Sequence, residues 1–234
     1  MTTTKKKILL KVSGELFSTA GSIDSHLARQ VAQQIKELSR DYWFGIVIGG
    51  GNLFRGKQAD DSLMLKRTAA DSVGMLATVM NGILLHEIFL QEGLNTSLLS
   101  ALHMPDLIKT FSFDRLREAQ RNDSVVLFVG GLANPFFSTD TAAVVRALQC
   151  DASELWKATK VDYLYDNDPR LVVNAQPILQ ARYAEVLEKK LGVMDLTAIA
   201  LAQENQVTLR IFNLFTTNSL LNVAGNPHYG SRIT

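Results

Sequence analysis

Short apolar runs that stop on glycine, each followed by a longer stretch of helical periodicity, constrain this chain more than any other feature. Residues 8–12 end at Ser13-Gly14, residues 46–48 at Gly49-Gly50-Gly51, and residues 125–129 at Gly130-Gly131. Apolar runs this short read as strands covered on both faces. Between the first two, Leu27, Val31, Ile35 and Leu38 share one helical face, with Asp24 or Ser25 as N-cap. A long helical stretch is expected over residues 61–91, with a break near Gly82 or Gly93, and another helix begins near Thr139. Further strands are expected at 97–101, 155–158, 164–165 and 208–212, and further helices at 183–188, 195–204 and 216–223. Strands alternating with helices specify an α/β fold with a mainly parallel sheet covered on both faces. No linker, repeat or low-complexity tract divides the chain, so one domain with two functional lobes is expected, residues 1–150 and 151–234. Ligands of such a sheet gather beyond the strand carboxyl ends, where the glycines cluster.

Composition narrows the class. At 234 residues the chain can bury one sizeable core, or two lobes joined by a cleft. A hydrophobic share of 47%, a charged share of 20% and a net charge of +1 argue against a disordered chain and a strongly basic nucleic-acid binder. Cys150 is the only cysteine, so no intramolecular disulfide forms, and its place near a helix end marks it as a packing residue. The basic residues 1–7 precede only five strand-like apolar residues, too few for a signal peptide. No run of about 18 apolar residues is apparent, so no membrane span and a cytoplasmic address are expected. His26, His86, His103 and His228 form no i, i+4 pair and have no cysteine partner, and so carry no metal signal.

The glycine-terminated strands can cradle phosphate, because glycine permits positive φ and close backbone approach, and successive N–H groups then face the anion. Lys11 interrupts the first apolar run beside such a loop, where a fixed cation can stabilise the charge that phosphoryl transfer spreads over oxygen. Arg55 adds a planar fork suited to phosphate. Residues 51–57 match P-loop spacing as far as Lys57, but Gln58 stands where that motif needs Ser or Thr for magnesium, so the match is read as accidental.

The segments 8–15 (ILLKVSGE), 47–56 (VIGGGNLFRG), 74–82 (GMLATVMNG), 134–143 (NPFFSTDTAA), 157–162 (KATKVD), 185–188 (EVLE) and 193–196 (VMDL) together resemble the bacterial uridylate kinases of the amino acid kinase superfamily. They run in the same order over nearly the whole chain. The resemblance implies a three-layer α/β/α sandwich, an amino acid kinase-like (carbamate kinase-like) fold, and transfer of the ATP γ-phosphoryl group to UMP. It places Lys11, Val12, Ser13 and Gly14 along the ATP phosphates, Gly51 and Arg55 beside them, and Thr159, Tyr165 and Asp168 on the adenine-ribose side. Gly50 would contact UMP, and Asp71 would accept hydrogen bonds from its ribose hydroxyls. Leu132, Ala133, Asn134, Pro135, Phe136, Phe137, Ser138 and Thr139 would wrap the UMP, with at least one of the two phenylalanines facing inward. Asp140 would orient the catalytic lysine, or cap the following helix, or both. Lys11, Arg55 and Asp140 are thus the expected catalytic residues. Mg2+ would be held mainly by the ATP phosphates, with no metal bound by the protein itself. The family further implies a homohexamer, GTP as activator and UTP as inhibitor.

Three departures stand out. Leu132-Ala133 replace Thr-Gly of the usual acceptor loop, the segment 17–23 is shortened, and Tyr163 stands where glycine is common. Two other readings accompany the kinase: a nucleotide-binding, storage or regulatory homologue without kinase activity, suggested by Leu132-Ala133, and a superfamily kinase acting on a carboxylate or carbamate. Retention of Lys11, Arg55, Asp71 and Asp140 opposes the first. The Asn134-Pro-Phe-Phe137 and Asp71 patterns oppose the second.

Overall fold

The computed structural model describes residues 4–19, 22–54 and 64–234. Among these, nine strands form the main sheet: β1 (Lys6–Val12), β2 (Tyr42–Ile48), β3 (Thr96–Ser100), β4 (Lys109–Thr110), β5 (Val125–Val129), β6 (Glu154–Thr159), β7 (Gln180–Ala181), β8 (Thr208–Asn213) and β9 (Ser231–Ile233). Their spatial order is β7-β9-β8-β6-β1-β2-β5-β3-β4. Every neighbouring pair is parallel except β8 with β9. The helices are α1 (Ser25–Leu38), α2 (Arg67–Gln91), α3 (Phe113–Arg121), α4 (Thr139–Gln149), α5 (Tyr183–Glu188), α6 (Leu196–Glu204) and α7 (Ser219–Gly225).

Strand parity sorts the core into two layers. Ile8, Leu10, Val12, Phe44, Ile46 and Trp156 pack with residues of α1, α2 and α7 on one side. Leu9, Trp43, Val47, Val126, Phe128 and Leu155 pack with residues of α3, α4, α5 and α6 on the other. The result is the expected three-layer α/β/α sandwich. The chain builds the β2, β5, β3, β4 side of β1 first, then crosses through α4 to β6 on the opposite flank. That reversal of strand order opens a crevice beyond the carboxyl ends of β1, β2, β5 and β6, with the start of α4 at its edge.

Local chemistry accounts for the element ends. Asp24 caps α1 by accepting from Leu27 N at 3.1 Å. α2 runs unbroken through Gly82, where a break had been expected. A Cβ there would sit 2.2 Å from Val129 Cγ1, so this glycine lets the helix lie close on β5. Gly93 instead ends the turn beyond α2, at φ +78°. The helix begins at Arg67, and residues 61–63 of the expected stretch lie outside the described residues. α3 was not anticipated: its sequence is mostly charged and only Leu116 and Ala119 are buried. Leu164–Tyr165 does form a strand, but it pairs with Pro177–Ile178 in a separate two-stranded sheet.

By length and composition α2 could cross a membrane, contrary to the expectation that no segment would. In this fold its buried residues, among them Ala77, Val79, Leu85 and Phe89, pack against the sheet and α1.

Candidate active site

Both lysines that interrupt apolar strands point into the layer below α4. Lys11 on β1 and Lys157 on β6 are direct partners in the parallel register, and they share strand parity with Leu9 and Leu155. Their exposures are only 8% and 9%. An isolated buried ammonium is strongly disfavoured, and the countercharge is Asp140 in the first turn of α4. Lys11 Nζ lies 2.9 Å from Asp140 Oδ1 and Lys157 Nζ 2.7 Å from Oδ2. Lys157 donates a directed hydrogen bond to Asp140 and another to the Val193 carbonyl. Lys11 approaches Oδ1 off the hydrogen-bonding direction, which leaves its N–H groups to aim elsewhere. Lys157 is clamped; Lys11 is poised.

Burial pushes the Asp140 carboxyl upward, but the Lys11 and Lys157 ammonium groups outweigh it and hold the group at about 2. Its first-turn position favours the anion as well. Burial and then repulsion from Lys11 bring Lys157 down to about 8, against the attraction of Asp140. Two cations facing one anion leave the cluster with excess positive charge, which a phosphate can neutralise.

Asp140 does not cap α4. Ser138 does, accepting from Thr141 N at 3.0 Å, and this leaves the Asp140 carboxylate to the lysines. Asp195 caps α6 through Ala198 N at 3.0 Å and also accepts from Ser138 Oγ and from Thr141 Oγ1, the latter at 3.1 Å. The starts of α4 and α6 are thereby tied together.

Two clefts meet at this cluster. The first, of about 520 Å³, is lined by Lys11, Ser13, Lys157, Thr159, Tyr163, Tyr165 and Asp168. Asp168 is fixed by Arg170, with Nη2 at 2.7 Å and Nε at 2.9 Å, and the Arg170 hydrogen bonds hold its carboxyl down at about 2. The second cleft, of about 280 Å³, is lined by Gly50, Gly51, Asp71, Asn134, Phe137, Ser138 and Thr139. Thr139 lines the second cleft, and the carboxylate of the next residue holds the two lysines that line the first. A larger cavity, about 570 Å³, lies against α2, α3 and β3, away from every expected site residue described here.

The expected site residues divide accordingly. Lys11, Ser13, Thr159, Tyr165 and Asp168 line the first cleft, whereas Val12 and Gly14 are buried behind it. Gly51, expected beside the first cleft's ligand, lines the second. Leu132, Ala133, Pro135 and Phe136 lie on the second cleft's loop but do not line it. Neither phenylalanine enters the core, contrary to expectation: Phe136 is 65% exposed and Phe137 49%. The loop's backbone turns them outward, with Phe136 itself at φ +73°. Arg55, and with it the residues 55–58 that complete the P-loop-like spacing, lies outside the described residues.

The first two glycine loops need glycine for contact more than for positive φ. A Cβ on Gly14 would lie 2.4 Å from both Asn52 Oδ1 and the Gly49 carbonyl. The loops after β1 and β2 are pressed together, and Asn81, fully buried on α2, holds them by donating to Gly49 O and Asn52 Oδ1, each at 2.7 Å. Only the third loop uses positive φ, at Gly130 and Gly131. Reading the sequence missed Asn81, Asp195 and, above all, Lys157. Lys157 carries the signal that exposed Lys11, a lysine inside an apolar strand.

The chain matches the model of the amino acid kinase family over residues 6–213. It is 41% identical over 230 residues to a uridylate kinase of Psychrobacter sp. (strain PRwf-1), covering 97% of this chain and 95% of that protein. Among solved structures it resembles a UMP kinase from Ureaplasma parvum, with a TM-score of 0.92 at 34% identity, covering 99% of each chain. A UMP kinase from Bacillus anthracis also superposes with a TM-score of 0.92, at 26% identity, covering 98% of this chain and 96% of that one.

Proposed function

This chain belongs to the amino acid kinase family, and on that premise we propose that it is a UMP kinase, transferring the γ-phosphoryl group of ATP to UMP to yield UDP and ADP. One observation carries the reading: the buried Lys11–Asp140–Lys157 cluster sits where two nucleotide-sized clefts meet. ATP occupies the first cleft, with its base toward Tyr165 and Asp168, and UMP the second, with its ribose toward Asp71 and its loop from Leu132 to Thr139 around it. The lobes of residues 1–150 and 151–234 follow from this division, since Thr159, Tyr165 and Asp168 come from the second lobe and the second cleft from the first.

A UMP phosphate oxygen attacks the γ-phosphorus, and the bond to the β–γ bridging oxygen breaks as ADP leaves. The attacking phosphate is already anionic, so no protein group need remove a proton. The protein positions two mutually repelling anions and offsets the charge on the transferred group. Lys11 does this directly; Asp140 fixes Lys11 and Lys157; Arg55 reaches phosphate where the nucleotides meet. Asp140 contacts a lysine with each oxygen, and among the described residues no three or more His, Cys, Asp or Glu gather to hold a metal. That donor set fits magnesium carried on the ATP phosphates, where it would neutralise their charge.

Assembly as a homohexamer belongs to the same proposal. It is supported by the outer face of α2, where Val73, Leu76, Met80 and Leu84 are 40–56% exposed, together with the family resemblance. A cytoplasmic address, activation by GTP and inhibition by UTP rest on the resemblance. A coupled assay offering UMP, CMP, acetylglutamate, aspartate and carbamate beside ATP, with and without GTP and UTP, tests the reading. UMP is the expected acceptor. Phosphorylation of none of them would favour a nucleotide-binding homologue, and phosphorylation of a carboxylate or carbamate another branch of the family.

A further inference from the structure

The wall of the second cleft is under backbone strain. Between Gly130 and Phe136, four residues have left-handed φ: Gly130 at +74°, Gly131 at +56°, Ala133 at +58° and Phe136 at +73°. Two of these carry side chains, and such residues persist only where surrounding contacts hold them. The contact at Phe136 is visible. Its backbone N–H donates to Asp71 Oδ2 at 2.7 Å, and the Arg67 guanidinium lies 5.7 Å from its ring centroid. Arg67 in turn donates through Nε to both Asp71 oxygens, at 3.0 and 2.9 Å.

Helix stability does not explain this arginine. Arg67 is the first residue of α2, where the helix dipole disfavours a cation. An i, i+4 pair with the base N-terminal to the acid is also the weaker order. Arg67 stands at the wrong end and in the wrong order for stability, yet it joins the carboxylate of the cleft to the ring of the cleft's strained loop.

We propose that Arg67 is a positioning residue for nucleotide acceptance: it aims Asp71 at the ribose hydroxyls and holds the loop through Phe136, and so sets discrimination between ribose and deoxyribose acceptors. The proposal rests on the second cleft's holding UMP. A carboxylate has about four lone-pair directions. With one oxygen on Phe136 N–H and both shared with Arg67, the remaining directions are fixed in space, and a vicinal diol fits them better than a single hydroxyl.

Steady-state rates at saturating ATP, with UMP and with dUMP, test this on the whole chain and on Arg67→Ala, Arg67→Lys and Asp71→Asn. Arg67→Ala is expected to raise the KM for UMP about tenfold, the scale of one lost charge-assisted contact. The fall in kcat is smaller, and the preference for UMP over dUMP narrows severalfold. Arg67→Lys keeps the charge without the planar fork and recovers part of the preference. The melting temperature of Arg67→Ala stays at or above the parent's, because the lost cation opposed the dipole. If Asp71→Asn raises the UMP KM and narrows the preference while Arg67→Ala changes neither, the role of Arg67 is overturned and the reading of the cleft stands. The role is also overturned if Arg67→Ala lowers kcat and melting temperature together with the preference intact. If Asp71→Asn alters neither quantity, the reading of the cleft falls and the proposal with it.

Discussion

Replacing Asp140 by asparagine separates charge from shape. The amide keeps the volume and an oxygen for Lys157 but removes the anion between two buried lysines. In the parent, burial and Lys11 have brought Lys157 from 10.5 to about 8, so it is still protonated at neutral pH. At about 1.4 kcal/mol per unit, keeping that charge inside costs about 3 kcal/mol relative to the unfolded chain. Without Asp140 the pKa falls further. Once it passes neutrality the amine gives up its proton, and the cost at pH 7 stops growing at about 5 kcal/mol. Asp140→Asn should therefore lose only about 2 kcal/mol of stability through this group, a fall of about 4–8 °C in melting temperature for a chain of this size. Activity should drop much more, about 10²–10³-fold in kcat, because a neutral amine cannot offset developing charge on the transferred group. Turnover in a coupled assay at saturating ATP and UMP, beside a thermal melt followed by circular dichroism, reads both numbers. Normal turnover, or a variant unfolded at room temperature, would refute the reasoning.

The same cluster predicts the pH profile: kcat/KM for ATP should decline above about pH 8 as Lys157 in the free enzyme loses its proton, and Asp140→Asn should shift that limb toward lower pH. Because the folded pKa of Lys157 lies below its unfolded value, its penalty on stability is complete below about 8 and is relieved as pH rises toward 10.5. Asp140 has the opposite sign: its depressed pKa stabilises the fold above 3.8, and the gain is lost as pH falls toward about 2, which acid melts would show. Ala133→Gly relieves about 1–2 kcal/mol of left-handed strain, partly offset by the entropy glycine adds to the unfolded chain, so melting should rise by about 1–4 °C. A lower melting temperature would place the loop's strain elsewhere. Gly14→Ala inserts a Cβ 2.4 Å from the Gly49 carbonyl and should force the first two loops apart, lowering kcat and raising the KM for both nucleotides. Unchanged kinetics would show that the loops need not touch. Lys11→Ala should reduce kcat far more than it weakens UMP binding, and equal turnover at saturating substrates would remove Lys11 from the chemistry.

Much of this architecture is legible without coordinates because strands buried on both faces write themselves as continuous apolar runs. The run 125–129 became β5 unchanged, and 8–12 grew by only two residues at the end where Lys6 and Lys7 reach toward solvent. α3 escaped because its short amphipathic face buries just two residues among charges. Lys11 was legible as a cation inside such a run. Lys157 interrupts β6 in the same way, but its role depends on β6 lying beside β1, and strand order across a sheet is set by long-range packing that no local pattern encodes. Asp140 was placed by motif, while its division between two lysines needed the register. The outward turn of Phe136 and Phe137 follows from backbone dihedrals that two adjacent aromatic letters do not reveal, since the same letters more often fill a core. Glycine marked the loops correctly but for partly the wrong reason: at Gly14 the constraint is a neighbouring loop, not φ.

The central claim is that two buried lysines bridged by Asp140 receive the phosphoryl group between ATP and UMP. A crystal structure with a non-hydrolysable ATP analogue and UMP bound together tests it most directly. The account predicts the γ-phosphate oxygens within hydrogen-bonding distance of Lys11 Nζ, with Asp140 still bridging Lys11 and Lys157 and the UMP phosphate in line from the second cleft. Nucleotides bound in these clefts with every phosphorus remote from Lys11 and Lys157 would contradict it.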